Sequence, residues 1–424
     1  MIDSDLMLIL GYLLAWVIVF VFRFRKTKQF DAVSFIISTY IIYAIFSFLL
    51  VKETNDFHPL HLFPFIYLFV LLYVGMLPII KFSSSQNIQI QQPTITSINI
   101  LSIIFIISTL FYFPESISKM SQGITMIMID STYGLDMYNE TMEGASEAGK
   151  SVSNIASIIS GAFTQIGLLM TVYYLTLTNG KKWIAIGLVL SSIMTMMGGI
   201  STGQRGAIVE PLLVLMATYF LLKRYIIPRY RKSIKIAGII LLSFLALVVT
   251  LLTISRFDSP NSSMDARSST YYYLGHANLT FNNYALDDNG IRYGDRTVPI
   301  FKKMLGFSNV PNNFIERRAK YPRLKVNDEV FVTYVGDLAI DYGPIVAFII
   351  IVTFSLLFTN KIRAKNGLYS FHQLLLVHFV LYLCVIGGVK LFPYSDIGGN
   401  LKIITFVLTY LFFKISSSKK YKRI

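Results

Sequence analysis

Cysteine, tryptophan and charge are all scarce in this sequence of 424 residues. The chain has one cysteine and two tryptophans, and charged residues make up only 14% of it. Since Cys384 has no second cysteine to pair with and lies in an apolar run, an internal disulfide is excluded, and a thiol nucleophile or cysteine metal site is unsupported. Hydrophobic residues make up 54%, in runs too long and too numerous for one soluble core. The composition predicts a polytopic membrane protein.

A nucleic-acid-binding module is also missing. The net charge is +15 at pH 7, but most cations lie in short loops beside apolar runs, where they fix topology and meet the headgroups of membrane lipid. No basic helix or aromatic stacking surface is visible, so we expect no nucleic-acid partner. The first residues lack the basic start and cleavage site of a secretory signal, and we expect a first span that stays.

Apolar runs of spanning or near-spanning length, roughly 17 to 25 residues, occur eleven times. We therefore expect an all-α polytopic membrane protein with about eleven transmembrane helices. Residues 1–254 hold helices 1 to 8, 255–335 form a large polar segment between helices 8 and 9, and 336–424 hold helices 9 to 11 and a basic tail. No internal repeat is visible, which weighs against transporter folds built from inverted halves. The runs lie at 6–22, 31–51, 60–80, 97–113, 152–177, 183–200, 207–222, 236–254, 338–358, 371–392 and 401–415.

The short loops differ sharply in charge. One alternating set holds 20 basic residues, whereas the opposite set holds only Lys52, Lys119, Lys150 and Arg205. By the positive-inside bias the first set is cytoplasmic, so we expect the amino terminus outside and the carboxyl terminus in the cytoplasm. Long loops are exempt from this bias, which leaves the segment 255–335 on the outer face together with a loop at 114–150.

The outer segment 255–335 carries eleven basic and eight acidic residues, punctuated by glycine and proline. This mixture predicts several short helical or irregular pieces rather than a charge run. An anionic substrate outside the membrane is the natural expectation, with Arg256 and Arg267 as candidate contacts. Arg256 stands where span eight ends, and an interfacial anchor is its alternative role.

The hairpin GGISTGQRGAIVEP at 198–211 joins spans six and seven with almost no loop. Gly203 and Gly206 flank Arg205 and permit tight turning. A guanidinium held at the outer membrane boundary suits bidentate phosphate contact, helped by the exposed amides at the start of span seven. The alternative is an arginine that only reaches the headgroups. Glu210, one turn later, is a candidate partner of Arg205.

Four further residues are candidates for chemistry near the outer face. Asp337 and Asp341 are four apart, hence on one helical face if the segment is helical, and suit positioning of an acceptor hydroxyl or a basic side chain. Capping of a helix amino terminus and salt bridges to loop arginines are the alternative. His276, among aromatic and amide residues, has the imidazole of a general base, although a lone loop histidine is often only a hydrogen-bonding residue. Lys390 adds a cation at the end of span ten. No metal-ligand spacing is present, so we expect no metal and no cofactor.

The outer S-T-G-Q-R-G hairpin, the large outer segment opened by Arg256 and the return TYVGDLAIDYGPI at 333–345 together resemble Wzy-type oligosaccharide repeat-unit polymerases of O-antigen and capsule assembly. The likeness covers the architecture of nearly the whole chain, although its matching motifs are short. It implies a GT-C-like helical fold and metal-independent glycosyl transfer from a polyprenyl diphosphate (undecaprenyl diphosphate in bacteria) to a new lipid-linked repeat unit, on the outer face of the bacterial inner membrane.

On this resemblance Arg205 and Arg256 bind the diphosphate or glycan, and His276 lies in the loop where related ligases use a histidine. The substrates would be a polyprenyl-diphosphate-linked oligosaccharide donor and acceptor, with a chain-length regulator and a flippase as possible partners. Two other functions stay open at this point. An O-antigen ligase uses the same donor and differs in its acceptor. A lipid-linked oligosaccharide flippase or other transporter would have cationic side chains in the middle of its spans, lining a path through the membrane.

Overall fold

The computed structural model describes residues 2–85, 88–129, 155–200, 204–257 and 266–421. This part is mostly helical, with one parallel pair of two-residue strands, β1 (Gln89–Ile90) and β2 (Leu368–Tyr369). The predicted all-α class is therefore confirmed. In chain order, the helices are α1 (Ile2–Thr27), α2 (Ala32–Glu53), α3 (Leu62–Gly75), α4 (Leu77–Ser84), α5 (Ile95–Ile129), α6 (Ile155–Tyr174), α7 (Lys182–Ile200), α8 (Arg205–Leu222), α9 (Pro228–Phe257), α10 (Ala266–Thr280), α11 (Pro299–Met304), α12 (Phe314–Lys320), α13 (Thr333–Tyr342), α14 (Pro344–Lys361), α15 (Phe371–Ile386) and α16 (Asp396–Tyr421).

Several helix boundaries follow from local sequence. Asp31 caps α2 by accepting a hydrogen bond from the Ser34 amide, and Ser370 and Gln373 form a reciprocal capping box at α15, which satisfies amides that lack intrahelical partners. The apolar run at 60–80 is broken between α3 and α4, which are bent by 44°. Pro78 stands in the first turn of α4, where its missing N–H is tolerated but would interrupt a continuous helix.

Six helices in the described residues are long and apolar enough to cross a membrane, and the bent pair α3 and α4 adds one more if it is a single broken span. The six contain Ser4–Thr27, Ala32–Glu53, Arg205–Tyr225, Pro228–Ile254, Pro344–Lys361 and Asp396–Ser416. The protein is thus a membrane-embedded helical protein. The predicted count of eleven spans and the GT-C-like arrangement stay predictions.

Contacts divide the chain into two compact units, residues 1–91 with 270–424 and residues 92–269. The first unit contains the short helices between α10 and α14, which match the expected short pieces of the polar segment. The second unit is built from α5 to α9, and within it Met196, Ile208, Leu245 and Leu252 form a buried apolar cluster. The predicted outer loop at 114–150 begins within α5, and its residues 130–150 lie outside the described residues.

A close contact joins α2 and α10 within the first unit. The Ser47 hydroxyl donates to the Gly275 carbonyl at 2.7 Å and accepts from the Asn278 side-chain amide at 3.1 Å. A Cβ on Gly275 would lie 2.5 Å from the carbonyl carbon of Phe46, so only glycine fits here. Small residues allow such backbone approach between membrane helices, and this contact fixes the helix that carries His276.

Candidate functional site

Arg205 is the first residue of α8 and is buried, with 9% of its surface exposed. Its guanidinium donates to the hydroxyls of Thr253 at 3.2 Å and Ser269 at 3.5 Å. Both partners belong to the same unit as Arg205, and they orient its guanidinium. A buried guanidinium at a helix amino terminus favours an anion on electrostatic grounds.

The other sequence candidates near Arg205 are placed less decisively. Glu210 is half-buried in the second turn of α8, and Arg267 is exposed at the start of α10. Arg256 is the penultimate residue of α9, and its side chain lies outside the described residues, as does Gly203. Arg205 is the predicted anion contact of this unit whose hydrogen-bond partners the structure shows.

His276 lies in α10 of the first unit and is buried between two aromatic rings. The imidazole stacks on Tyr272, with ring centroids 4.5 Å apart, and on Phe331, at 5.2 Å. Its Nδ1 donates to the Tyr272 carbonyl at 2.5 Å, and its Nε2 accepts from the Phe331 amide at 3.1 Å. Burial lowers the pKa of His276 to about 4. The ring is consequently neutral at pH 7, and its lone pair is used by Phe331.

Lys390 shares the aromatic neighbour of His276. Its ammonium lies 5.1 Å from the centroid of the Phe331 ring, within the range of a cation–π contact. The structure thus brings His276 and Lys390 into contact with the same phenylalanine ring. As a general base, His276 would first have to release the Phe331 amide, so that role stays a prediction.

Asp337 and Asp341 lie one turn apart in α13 and are fully buried. Asp337 accepts from Arg292 Nη2 at 2.5 Å and from the Phe392 amide at 3.2 Å, with Arg296 Nε at 3.3 Å. Asp341 accepts from the Thr297 amide at 2.7 Å and lies 2.6 Å from Arg292 Nε. The two aspartates share one face of α13, as expected from the sequence, and both form ion pairs with buried arginines.

Asp328 is the centre of this network. Its carboxylate accepts from Arg292 at 2.6 Å, from Arg296 at 2.9 Å and from Arg317 at 2.7 Å. Burial opposes its charge, but the three arginines outweigh burial and hold the pKa of Asp328 below its usual value. For Arg292, burial is likewise outweighed by Asp341, Asp337 and Asp328, which raise its pKa. Asp328 and the three arginines are buried and charged, so the network fastens the polar segment to α13.

Sequence reasoning missed the members of this network that lie before α13. Arg292, Arg296, Arg317 and Asp328 were visible only as part of a mixed polar segment. Their partners lie 11 residues apart for Arg317 and Asp328 and 45 apart for Arg292 and Asp337, so no local pattern links them. A cavity of about 480 Å³ opens beside Arg292, Arg317, Tyr321 and Asp328. In the described residues, no three histidine, cysteine or acidic side chains gather to hold a metal ion.

The candidate residues therefore fall into three groups. Arg205 stands with Thr253 and Ser269, His276 with Lys390 around Phe331, and the two aspartates of α13 with the buried arginines. No family model, curated protein or solved structure matches this chain.

Proposed function

We propose that this protein is a membrane glycosyltransferase that polymerises polyprenyl-diphosphate-linked oligosaccharide repeat units into a cell-surface polysaccharide. The observation that carries the proposal is Arg205, buried at the first position of α8 and oriented by the Thr253 and Ser269 hydroxyls. A planar guanidinium forks onto two oxygens of a diphosphate, which a lysine ammonium does not reproduce. The resemblance of the hairpin sequence to Wzy-type polymerases points to the same chemistry.

The largest change of charge in this reaction occurs on the leaving diphosphate. As the glycosyl bond breaks, negative charge grows on the leaving oxygens, and a preorganised cationic donor stabilises that charge. Loss of one such donor typically costs about 2–4 kcal/mol of transition-state stabilisation. Arg205 is assigned to this role. The roles of His276, Asp337, Asp341 and Lys390 stay predictions.

The membrane arrangement of the proposal is the one expected from sequence. Six long apolar helices, one bent pair and four shorter apolar helices in the described residues are equal in number to the eleven apolar runs. The four shorter ones are Ile95–Phe111, Ile158–Tyr174, Lys182–Met197 and Phe371–Ile386. With a GT-C-like arrangement and the carboxyl terminus in the cytoplasm, Arg205 faces the outer side, where lipid-linked repeat units are assembled into polymer.

The test is polymer formation by the purified protein in nanodiscs supplied with a polyprenyl-diphosphate repeat unit. We expect a ladder of products from the unchanged protein, retained in excess chelator, and loss of most product in Arg205→Lys. The matched control is Arg318→Lys, because Arg318 is 47% exposed and pairs with Glu329 only at 3.6 Å. A normal ladder from Arg205→Lys at equal protein abundance would reduce Arg205 to an anchor.

The glycan pattern of a deletion strain distinguishes a polymerase from an O-antigen ligase, which uses the same donor. Loss of the ladder with a single repeat unit retained is the polymerase result. Full-length lipid-linked chains that accumulate without transfer to their final acceptor would instead identify a ligase. If chelator abolished polymer formation and excess magnesium restored it, charge stabilisation by arginine alone would be refuted.

A further inference from the structure

The first unit contains an apolar cavity of about 270 Å³ among its membrane helices. The accessible walls are entirely apolar, and they come from α3, α13, α14, α15, α16 and the turn after α15. The lining consists of six aromatic side chains, six aliphatic side chains and Gly75. Its principal members are Leu338, Phe354, Phe358, Phe379, Leu383 and Val407.

The cavity opens sideways between α14 and α16. Its lining residues on α15, Phe379 and Leu383, are 6% and 5% exposed and form the back wall. By contrast, Val407 on α16 is 42% exposed, and Phe354 on α14 is partly exposed. Both α14 and α16 include segments apolar and long enough to span a membrane. The mouth therefore faces the surface that bilayer hydrocarbon covers.

Water does not suit this space, because an ordered water needs polar partners and the walls offer none. An apolar cavity of about 150 Å³ is known to take up benzene, so about 270 Å³ has room for on the order of ten carbons. The lining residues of α14 run from Ile350 to Phe358, a length of about 12 Å at the α-helical rise. A cavity of this volume and length is narrow, and its shape suits one unbranched hydrocarbon chain.

We propose that the cavity binds one acyl chain of a bilayer phospholipid, which enters between α14 and α16 and ends against Phe379 and Leu383. This site is independent of glycosyl transfer, because it requires only that α14 and α16 lie in the membrane. The bound chain fills the gap between α14 and α16 and lies against Leu338 of α13, the residue after Asp337. The phospholipid is thereby a structural ligand of the first unit.

The experiment uses the full-length protein in nanodiscs doped with a phosphatidylcholine that carries a photoreactive diazirine in mid-chain. After irradiation, peptide mapping should find label on the back wall, at Phe379 and Leu383. Val407→Trp, which plugs the mouth, should lose most of this label. The control is Leu408→Trp, since Leu408 is the next residue of α16, is 63% exposed and does not line the cavity; it should label as the unchanged protein does.

Three outcomes would overturn the proposal. Label confined to outward residues such as Leu356 and Leu408 would mean that no chain enters. Equal labelling of the back wall in Val407→Trp and Leu408→Trp would mean that the chain arrives by another route. Displacement of the label by unlabelled polyprenyl phosphate, but not by an equal amount of unlabelled phosphatidylcholine, would identify an isoprenoid occupant. The labelling map of the unchanged protein decides the first and third of these even if Val407→Trp does not fold.

Discussion

Replacing Asp328 with asparagine tests whether the buried ion network holds the polar segment in place. The carboxylate receives Arg292, Arg296 and Arg317 within 2.9 Å, and its side chain is 6% exposed. Asparagine keeps the shape, removes the charge and points an NH₂ group at one of the guanidinium groups. The arginines that remain are buried, so they cannot recover the lost interaction from water.

The size of the effect follows from which partners survive. Breaking a buried ion pair by neutralising one member typically costs about 3–5 kcal/mol. Arg292 and Arg296 keep Asp337, and Arg317 keeps Asp396 at 2.8 Å, so we expect the lower end, about 3 kcal/mol of the free energy of unfolding. Glu329→Gln is the matched control, because the adjacent Glu329 pairs with Arg318 at 3.6 Å and both side chains are 47% exposed. An exposed pair contributes less than about 1 kcal/mol.

The assay is unfolding of both variants in mixed micelles at pH 7, followed by tryptophan fluorescence. The pKa of Asp328 is lowered, so its contribution is complete above the ordinary aspartate value of 3.8 and is lost as the pH falls through the lower folded value. The difference between the unchanged protein and Asp328→Asn should therefore shrink only in strong acid. Equal stability of Asp328→Asn and Glu329→Gln at pH 7 would refute the reasoning.

Three further predictions concern other parts of the molecule. Gly275→Ala places a methyl group against the backbone of α2 and should destabilise by about 1–3 kcal/mol in thermal unfolding, whereas Gly11→Ala, with open space around it, should be neutral or slightly stabilising. The free energy of unfolding should fall by about 3 kcal/mol as the pH falls from 6.5 to 4, because the histidine is protonated in the unfolded chain while the buried ring of His276 stays neutral. The variant His276→Gln should lack this part of the pH dependence. A pH profile of His276→Gln equal to that of the unchanged protein would contradict the prediction. Reporters fused after Lys232 and near Asn289 should read cytoplasmic and external, respectively, and reversed signals at both would overturn the topology.

The sequence predicted the helical membrane architecture because that architecture depends on local composition. The break near Pro78 was not expected, because the run at 60–80 was predicted as one span. Apolar runs nevertheless act over a few residues, and the structure has helices where they lie. The face shared by Asp337 and Asp341 was predictable for the same reason, since it follows from helical periodicity. Arginines of the polar segment were among its expected partners.

The identity of those partners was not predictable. Asp337 meets Arg292 across 45 residues, and Asp328 meets Arg292 across 36, and no periodic pattern links positions so far apart. The separation of Arg205 from Asp337 into different compact units was equally invisible, because the sequence placed both at the outer boundary without grouping them.

The sequence by itself determined the environment of this protein. Its long apolar runs and asymmetric loop charge require a lipid bilayer, however the helices pack. Only the tertiary structure decided the state of each polar group. His276 is neutral because Tyr272 and Phe331 enclose it, and the aspartates of α13 are ion-paired because distant arginines reach them. Hydropathy is a sum over neighbouring residues, whereas burial and charge pairing depend on which distant surfaces meet, and that is fixed only when the chain folds.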